Sequence, residues 1–433
     1  MSETDSPSPS GGAAPPERHR WAVPAWCLFD WANSPFPTVV ITFVFAFYFQ
    51  DAVVGDTVRA TALWGYALAA SAFVVAILGP IFGSAADAGA RRKPWLFGCS
   101  VVMVVACALL WYATPDEGSI WLVLGLVAIG NIGFELGMVF YNAMLPGLAG
   151  NGRMGRLSGW AWGLGYAGGL VCLVLVLYGF IEVETPPFGL DTGQAEHVRA
   201  VAVVVALWFV IFGWPLFVFT PDLNGSRRKL GESLKIGLTT LWRTLRSIRQ
   251  YRMIARFLLA RMLFIDGLNT LFAFGGLYAA GSFGMDLSEV LQFAVALNVA
   301  AGLGAFAFAW IDDWIGSKRT LIICLVSLIV VGTAILLVED KMWFWVLGLC
   351  IGIFMGPTQA ASRSMMGRLA PDGMHTEMFG LFALSGKATA FMGPWLVGLF
   401  TVLADSQRVG MATIIVFFAL GLLVLLTVRE PGR

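Results

Sequence analysis

The feature that most constrains this 433-residue chain is the recurrence of apolar runs long enough to cross a bilayer. A run of about 18 or more apolar residues reads as a membrane-spanning helix. Twelve such runs stand at roughly 25–50, 60–85, 95–113, 119–145, 157–181, 199–219, 254–281, 288–311, 319–338, 342–362, 377–403 and 408–428. Only 13% of residues are charged, against about 25% in soluble domains, too few to cover a water-facing surface. The expected fold class is an all-α polytopic membrane protein with twelve transmembrane helices in two pseudo-symmetric six-helix bundles.

Lys and Arg sort by loop. Arg18, Arg20, Arg91, Arg92, Lys93, Arg153, Arg156, the run from Arg227 to Arg252, Lys318, Arg319, Arg363, Arg368, Arg429 and Arg433 fall on one side. Arg59, Arg199, Lys341 and Arg408 fall on the other, beside acidic loops such as "VETPPFGLDTGQAEH". The positive-inside rule puts both termini in the cytoplasm. The Ser/Pro/Gly-rich start, 1–24, reads as a disordered cytoplasmic tail and not a signal peptide. The division is then an N-terminal bundle (25–219), a linker (220–252), a C-terminal bundle (253–428) and a short tail (429–433). Within the linker Leu230, Leu234, Leu238, Leu241, Leu245 and Ile248 recur at helical spacing with Arg243, Arg246 and Arg249 between them. This is the pattern of a basic amphipathic helix at the inner surface, or of a plain structured linker.

The six cysteines all lie in apolar runs without metal-ligand spacing and read as buried core residues. No cofactor or metal site is expected. The three histidines fall outside the predicted core, and no HExxH, P-loop or nucleophile elbow occurs, so an enzyme is not expected. The near-neutral net charge gives no sign of nucleic-acid binding.

Three echoes link the halves. Asp30 and Asn33 return as Asp266 and Asn269. Asp87 with Arg91 and Arg92 returns as Asp313 with Lys318 and Arg319. Gly159 and Gly165 return as Gly380 and Gly386. Same-order echoes at similar offsets argue for two related six-helix repeats, the architecture of the major facilitator superfamily. "GSAADAGARR" resembles that superfamily's signature after the second helix, with Gly83, Asp87, Arg91 and Arg92 in place and Ala90 where a glycine belongs. "DWIGSKR" keeps Asp313, Gly316, Lys318 and Arg319. The resemblance implies that both turns latch the halves at the cytoplasmic side. The blocks "FDWANSPF", "FYNAMLP", "GRLSGWAWGLGYAGG", "DGLNT", "TQAASRSMMGRLAP" and "EMFGLFALSGKATAFMGP" resemble the vacuole-effluxer family, autophagy-related vacuolar amino-acid exporters and their bacterial relatives. That implies a secondary active transporter, with the bacterial plasma (inner) membrane as its expected home.

Charges inside apolar runs are costly and normally face a cavity or a partner. "DWANSPFP" places Asp30 and Asn33 before Pro35 and Pro37, which remove backbone donors and free carbonyls. The segment reads as bendable and cavity-lining, or as a fixed Asp30 holding the first helix in place. Glu135 shares a helix face with Asn131, and Tyr141 and Asn142 follow on the same span. Asp266 and Asn269 lie one turn apart, and Lys387 sits in the eleventh span beside Gly386. By the superfamily analogy, spans 1, 4, 7 and 10 line a central cavity, so Asp30, Glu135 and Asp266 are expected to converge with Gln359 and Arg363, Lys387 balancing one carboxylate. Such a carboxylate can trade a proton as its exposure changes, and the cation can bind a solute carboxylate; the alternative is a fixed pair that orders packing. Trp160 and Trp162 are candidates to stack on a ligand. The expected partners are a small solute, protons and the bilayer, and the protein is expected to be a monomer. A drug or lipid exporter, or a non-transporting solute sensor, remains the alternative function.

Overall fold

A computed structural model describes residues 20–89, 91–150, 152–183, 185–222, 230–247 and 249–430. The expected tail up to residue 19, Ala90, the start of the linker from Arg227, the Ile248 position and Arg433 lie outside these residues. So do the side chains of Leu230 and Leu245. All regular structure among the described residues is helical. The spans are α1 (Ala22–Val54), α2 (Thr57–Ala88), α3 (Lys93–Leu109), α4 (Ile120–Ala149), α5 (Met154–Val176) and α6 (Glu196–Phe219). The linker carries α7 (Leu230–Arg246). Then come α8 (Arg252–Phe283), α9 (Leu287–Ile315), α10 (Ser317–Leu337) and α11 (Lys341–Leu369). Last are α12 (His375–Ser385), α13 (Met392–Ala404) and α14 (Gln407–Leu426). Among the described residues, eleven helices are long and apolar enough to cross a membrane.

The remaining crossing corrects the sequence expectation. The run at 377–403 is not one helix. It is α12 and α13 joined by a turn at 386–391, held by Ala388 N to Leu384 O (2.9 Å) and Met392 N to Thr389 O (2.7 Å). Apolarity along a run does not register the break, because Gly386 and the small residues around it are as apolar as a helix interior. Lys387 and Thr389 sit in the break. α1 also begins earlier than expected, taking in Ala22, Val23 and Pro24.

α1 shows what its two prolines do. It is α-helical over Ala22–Asn33 and widens to a π-helix over Phe36–Phe43. Pro35 lacks the N–H that would bond Trp31 O, and the Trp208 indole of α6 donates to that oxygen instead (3.2 Å). The hydroxyls of Ser34, Thr38 and Thr42 return to the carbonyls of Asp30 (2.8 Å), Ser34 (2.9 Å) and Pro37 (2.8 Å). The widened segment fits against α5 because glycine lets the backbones touch. A Cβ on Gly168 would lie 2.4 Å from Trp31 O, and one on Gly169 2.6 Å from Thr38 Oγ1.

The two sets of spans meet closely near the end carrying the basic loops. α2 meets α12 where Gly83 leaves no room for a Cβ (2.4 Å from Thr376 O) and Gly380 none (2.5 Å from Gly79 O). α5 meets α9 in the same way, a Cβ on Gly159 reaching 2.5 Å from Ala305 O. Two of the echoed glycines, Gly159 and Gly380, thus occupy matching contacts. Gly168→Val forces α1 off α5. An overpacking cost of about 1–3 kcal/mol is expected, read as a lowered unfolding midpoint of the detergent-purified protein, with Gly179→Val, which meets nothing within 4 Å, as the unaffected control.

Candidate functional site

Three charged layers connect the helices. The outermost, at the basic end, uses both echoed turns. Asp87 at the end of α2 accepts from Thr376 Oγ1 (2.6 Å) and Glu377 N (2.9 Å), so it caps the first turn of α12. Arg92 ties the same corner, donating to Thr376 Oγ1 (2.7 Å), Ala143 O (2.8 Å) and Asp87 (3.3 Å). Asp313 at the end of α9 accepts from Gly155 N (2.7 Å) and Arg156 Nε (2.7 Å), so it holds the first turn of α5. Gly316 turns the chain with φ near 99°, open to glycine without strain. Lys318 donates to Leu426 O (3.0 Å), and its backbone N–H to Glu430 (3.1 Å). Each carboxylate therefore grips a helix of the opposite set. Arg91 and Arg319 are exposed and form no ion pair with a described residue.

The second layer is centred on Arg363 of α11. Counted with a basic loop in the sequence, it is buried to 1% exposure, because α11 runs on to Leu369. Its guanidinium donates to Asp30 Oδ2 (2.9 Å), Ser158 Oγ (2.9 Å), Ser158 O (2.6 Å) and Asn142 Oδ1 (3.3 Å). It lies over the rings of Trp26 (5.1 Å), Tyr141 (5.7 Å) and Trp162 (5.6 Å). Trp26 and Tyr141 stack at 4.6 Å and exchange hydrogen bonds with each other's backbone oxygen. Planar stacking and a fork of donors are properties of arginine that lysine lacks.

The third layer lies deeper. Glu135 is seven residues before Asn142 on α4, roughly 10 Å further from the basic end. Its carboxylate pairs with Lys387 in the α12–α13 break at 2.7 Å, both side chains partly exposed. Arg261 of α8 is close enough to Glu135 to act on it electrostatically. Arg261 donates to Phe382 O (2.7 Å) and Ser385 Oγ (2.9 Å) and lies 3.5 Å from the Phe382 ring, so it seals the last turn of α12 where the chain breaks. Asp266, five residues on, is 1% exposed, and neither carboxylate oxygen has a hydrogen-bond partner among the described residues. Thr389 of the break lies beside it without hydrogen-bond geometry.

Of the expected convergence only Asp30 and Arg363 meet, joined by Asn142 and Tyr141, while Glu135 stands apart from them and is balanced by Lys387. It fails elsewhere. Asp266 belongs to the break, not to the Arg363 layer. Gln359 accepts from Tyr166 of α5 (2.9 Å), and Asn131 donates to Ser71 of α2 (2.7 Å), turned from the Glu135 pair. Asn33 contacts Met138 Sδ (3.2 Å), and Asn269 is exposed with no hydrogen bond to another site residue. Trp160 packs on Phe306 and Trp310 of α9. Sequence reasoning missed Arg261, Ser158, Thr376 and Glu377. Arg261 had a signal, a charge inside an apolar run five residues before Asp266. Ser158 had none, since its role comes from a backbone carbonyl and a hydroxyl meeting a distant arginine.

Away from the basic end, a cavity of about 730 Å³ opens between α1 and α8, α9, α10, α11 and α14. Its wall is largely apolar, with Leu271, Phe293, Met355 and Phe418 beside Thr38, Thr42 and Asn298.

This arrangement of helices, with one carboxylate from each half bonded to a helix of the other, is that of a transporter of the major facilitator class. Its fold matches the fucose transporter FucP in an outward conformation (TM-score 0.75, 15% identity, 95% of this chain and 99% of that one). It also matches the proton:xylose symporter XylE (TM-score 0.73, 12% identity, 96% and 97%). The chain belongs to the vacuole effluxer Atg22-like family, whose description matches residues 51–155 and 151–431. Similar proteins include the uncharacterized MFS-type transporter YxiO of Bacillus subtilis (28% identity, 94% of both chains). Another is autophagy-related protein 22 of Pichia angusta (25% identity, 77% of this chain and 69% of that one).

Removing one member of a buried pair costs about 3–5 kcal/mol, because the other charge is left without its partner. Arg363→Met is therefore expected to lower stability strongly, and Arg363→Met with Asp30→Asn to recover part of it. Thermal unfolding of the purified variants in detergent checks both.

Proposed function

We propose that this protein is a secondary active transporter of small zwitterionic solutes, amino acids foremost, working by alternating access with protons as the coupling ion. The observation that carries the reading is the Glu135–Lys387 pair. It joins two opposite charges from α4 and the α12–α13 break, and it stays partly exposed. A zwitterion can replace each partner with its own group, its ammonium meeting Glu135 and its carboxylate meeting Lys387, with Arg261 as a second cation beside them. That exchange preserves charge balance and so avoids stranding a charge in the membrane.

The break gives the site something to move. Its turn holds Lys387 toward Glu135 and Thr389 toward Asp266, so a shift of the turn on solute binding reaches both carboxylates. Asp266 is the proposed proton carrier. A buried carboxylate without a partner bears the full desolvation cost when charged, and a proton removes it. The layers at the basic end then act as the gate, and the positive-inside rule assigns that end to the cytoplasm of a bacterial inner membrane, with the chain acting as a monomer.

Flux of labelled amino acids into proteoliposomes under an imposed pH gradient tests this. Gradient-dependent uptake is expected in the parent, with a loss of about tenfold or more in Glu135→Gln and Lys387→Met, the size of one removed charge-assisted contact. Asp266→Asn is expected to keep exchange of solute for solute and to lose the response to the gradient. Full flux in both pair variants would reduce the pair to a packing contact.

One observation favours a second reading. The cavity beyond the break is apolar, which suits an amphiphilic solute with a charged head and a bulky tail, as an exporter of drugs or lipids would take. Under that reading Phe293→Trp, which fills the cavity, blocks flux of bulky solutes and spares glycine and alanine. Equal loss for all solutes counts against it.

A further inference from the structure

α7 is clamped to the gate, and its two free faces match a bilayer surface. One stripe of the helix is buried, carrying Ser233, Gly237, Leu241 and Thr244. This stripe lies on the end of α2. A Cβ on Gly237 would be 2.6 Å from Ala85 N, so the two backbones touch, and one on Gly89 would be 3.0 Å from Ser233 Oγ. Ser84 Oγ bonds Gly237 O at 2.9 Å and Glu377 Oε2 at 3.1 Å. Glu377 is in the first turn of α12, and its N–H donates to Asp87. One hydroxyl thus joins α7, α2 and α12. Separating α2 from α12 breaks that junction.

The rest of α7 turns away from the protein. At 100° per residue, the next stripe carries Leu234, Leu238 and Trp242, the last two 49% and 68% exposed. The stripe after it carries Lys235, Thr239, Arg243 and Arg246 with Glu232, all exposed. None of the three cations forms an ion pair with a described residue. An apolar stripe flanked by unpaired cations, on a helix next to the membrane-spanning α2, complements an interface of acyl chains and anionic headgroups.

We propose that α7 binds anionic lipid at the membrane surface and, through Gly237, Ser84 and Glu377, stabilises the state in which the basic end is closed. Lipid that holds α7 flat adds its binding energy to the closed gate, because only the closed gate offers α7 both of its partners. The occupant is the headgroup layer, held by charge and by the Leu238 and Trp242 side chains, and the proposal is independent of which solute is carried.

The test is hydrogen exchange of the full chain in nanodiscs of phosphatidylcholine alone and of phosphatidylcholine with phosphatidylglycerol. Exchange in α7, at the end of α2 and in the first turns of α12 is expected to slow by about tenfold with the anionic lipid, each surface cation contributing measurably. The variant with Lys235→Gln, Arg243→Gln and Arg246→Gln, which alters only exposed side chains, is expected to lose the lipid response at all three segments. Gly237→Val, which pushes α7 off Ala85, is expected to keep the response in α7 and lose it at α2 and α12. Equal exchange in the two lipids for the parent overturns the proposal. A response confined to α7 in the parent overturns the coupling to the gate, and an undiminished response in the charge variant overturns the role of anionic headgroups.

Discussion

The basic end is built around one guanidinium that has been taken out of water. Arg363 is held by Asp30, Ser158 and Asn142 and roofed by three aromatic rings. Such a charge is tolerable only while every donor is met, and its partners come from three helices of the other set. Parting the helices here means finding new partners for an arginine and an aspartate together.

The two turns outside it repeat the same physics in a weaker form. Asp87 and Asp313 each place a carboxylate at the first turn of a helix from the opposite set, where free N–H groups and the helix dipole favour negative charge. The glycine contacts of α2 with α12 and of α5 with α9 let those ends approach closely enough for the caps to form. Deeper in, the pair of Glu135 with Lys387 is partly exposed and sits on a broken helix, so it is less constrained than the buried pair of Arg363 with Asp30. Rigid latch and adaptable pair thus sit about two helical turns apart on α4, an arrangement suited to opening one end in response to occupancy of the middle.

Much of this was legible in the sequence, and the reasons are specific. Asp30 and Arg363 stood out because a charge in an apolar run needs a partner, and they found each other. The prolines of α1 announced freed carbonyls, and the Trp208 indole answers the one at Trp31. Gln359 and Asn131 were misread because a neutral amide satisfies itself on whichever helix is adjacent, and one-dimensional spacing does not say which that is. The break beside Lys387 escaped notice because Gly, Ala and Thr in "SGKATAFMG" suit a tight helix contact as well as a turn. Arg261 escaped because the run of linker charges was ended at Arg252 and a charge nine residues further on was not weighed as one inside the span.

By itself the sequence determined the number of crossings, their helical nature, the basic and acidic ends, and the repeat that makes two turns equivalent. Those follow from apolar length, charge sorting and spacing, all local to the chain. Only the tertiary structure decided which carboxylate meets which cation, that the eleventh crossing is two helices, that Asp266 is buried with no hydrogen-bond partner among the described residues and that α7 is pinned to the end of α2. These are matters of which helices touch and at what height, and pairing energies between residues hundreds of positions apart leave no periodic trace in the chain that carries them.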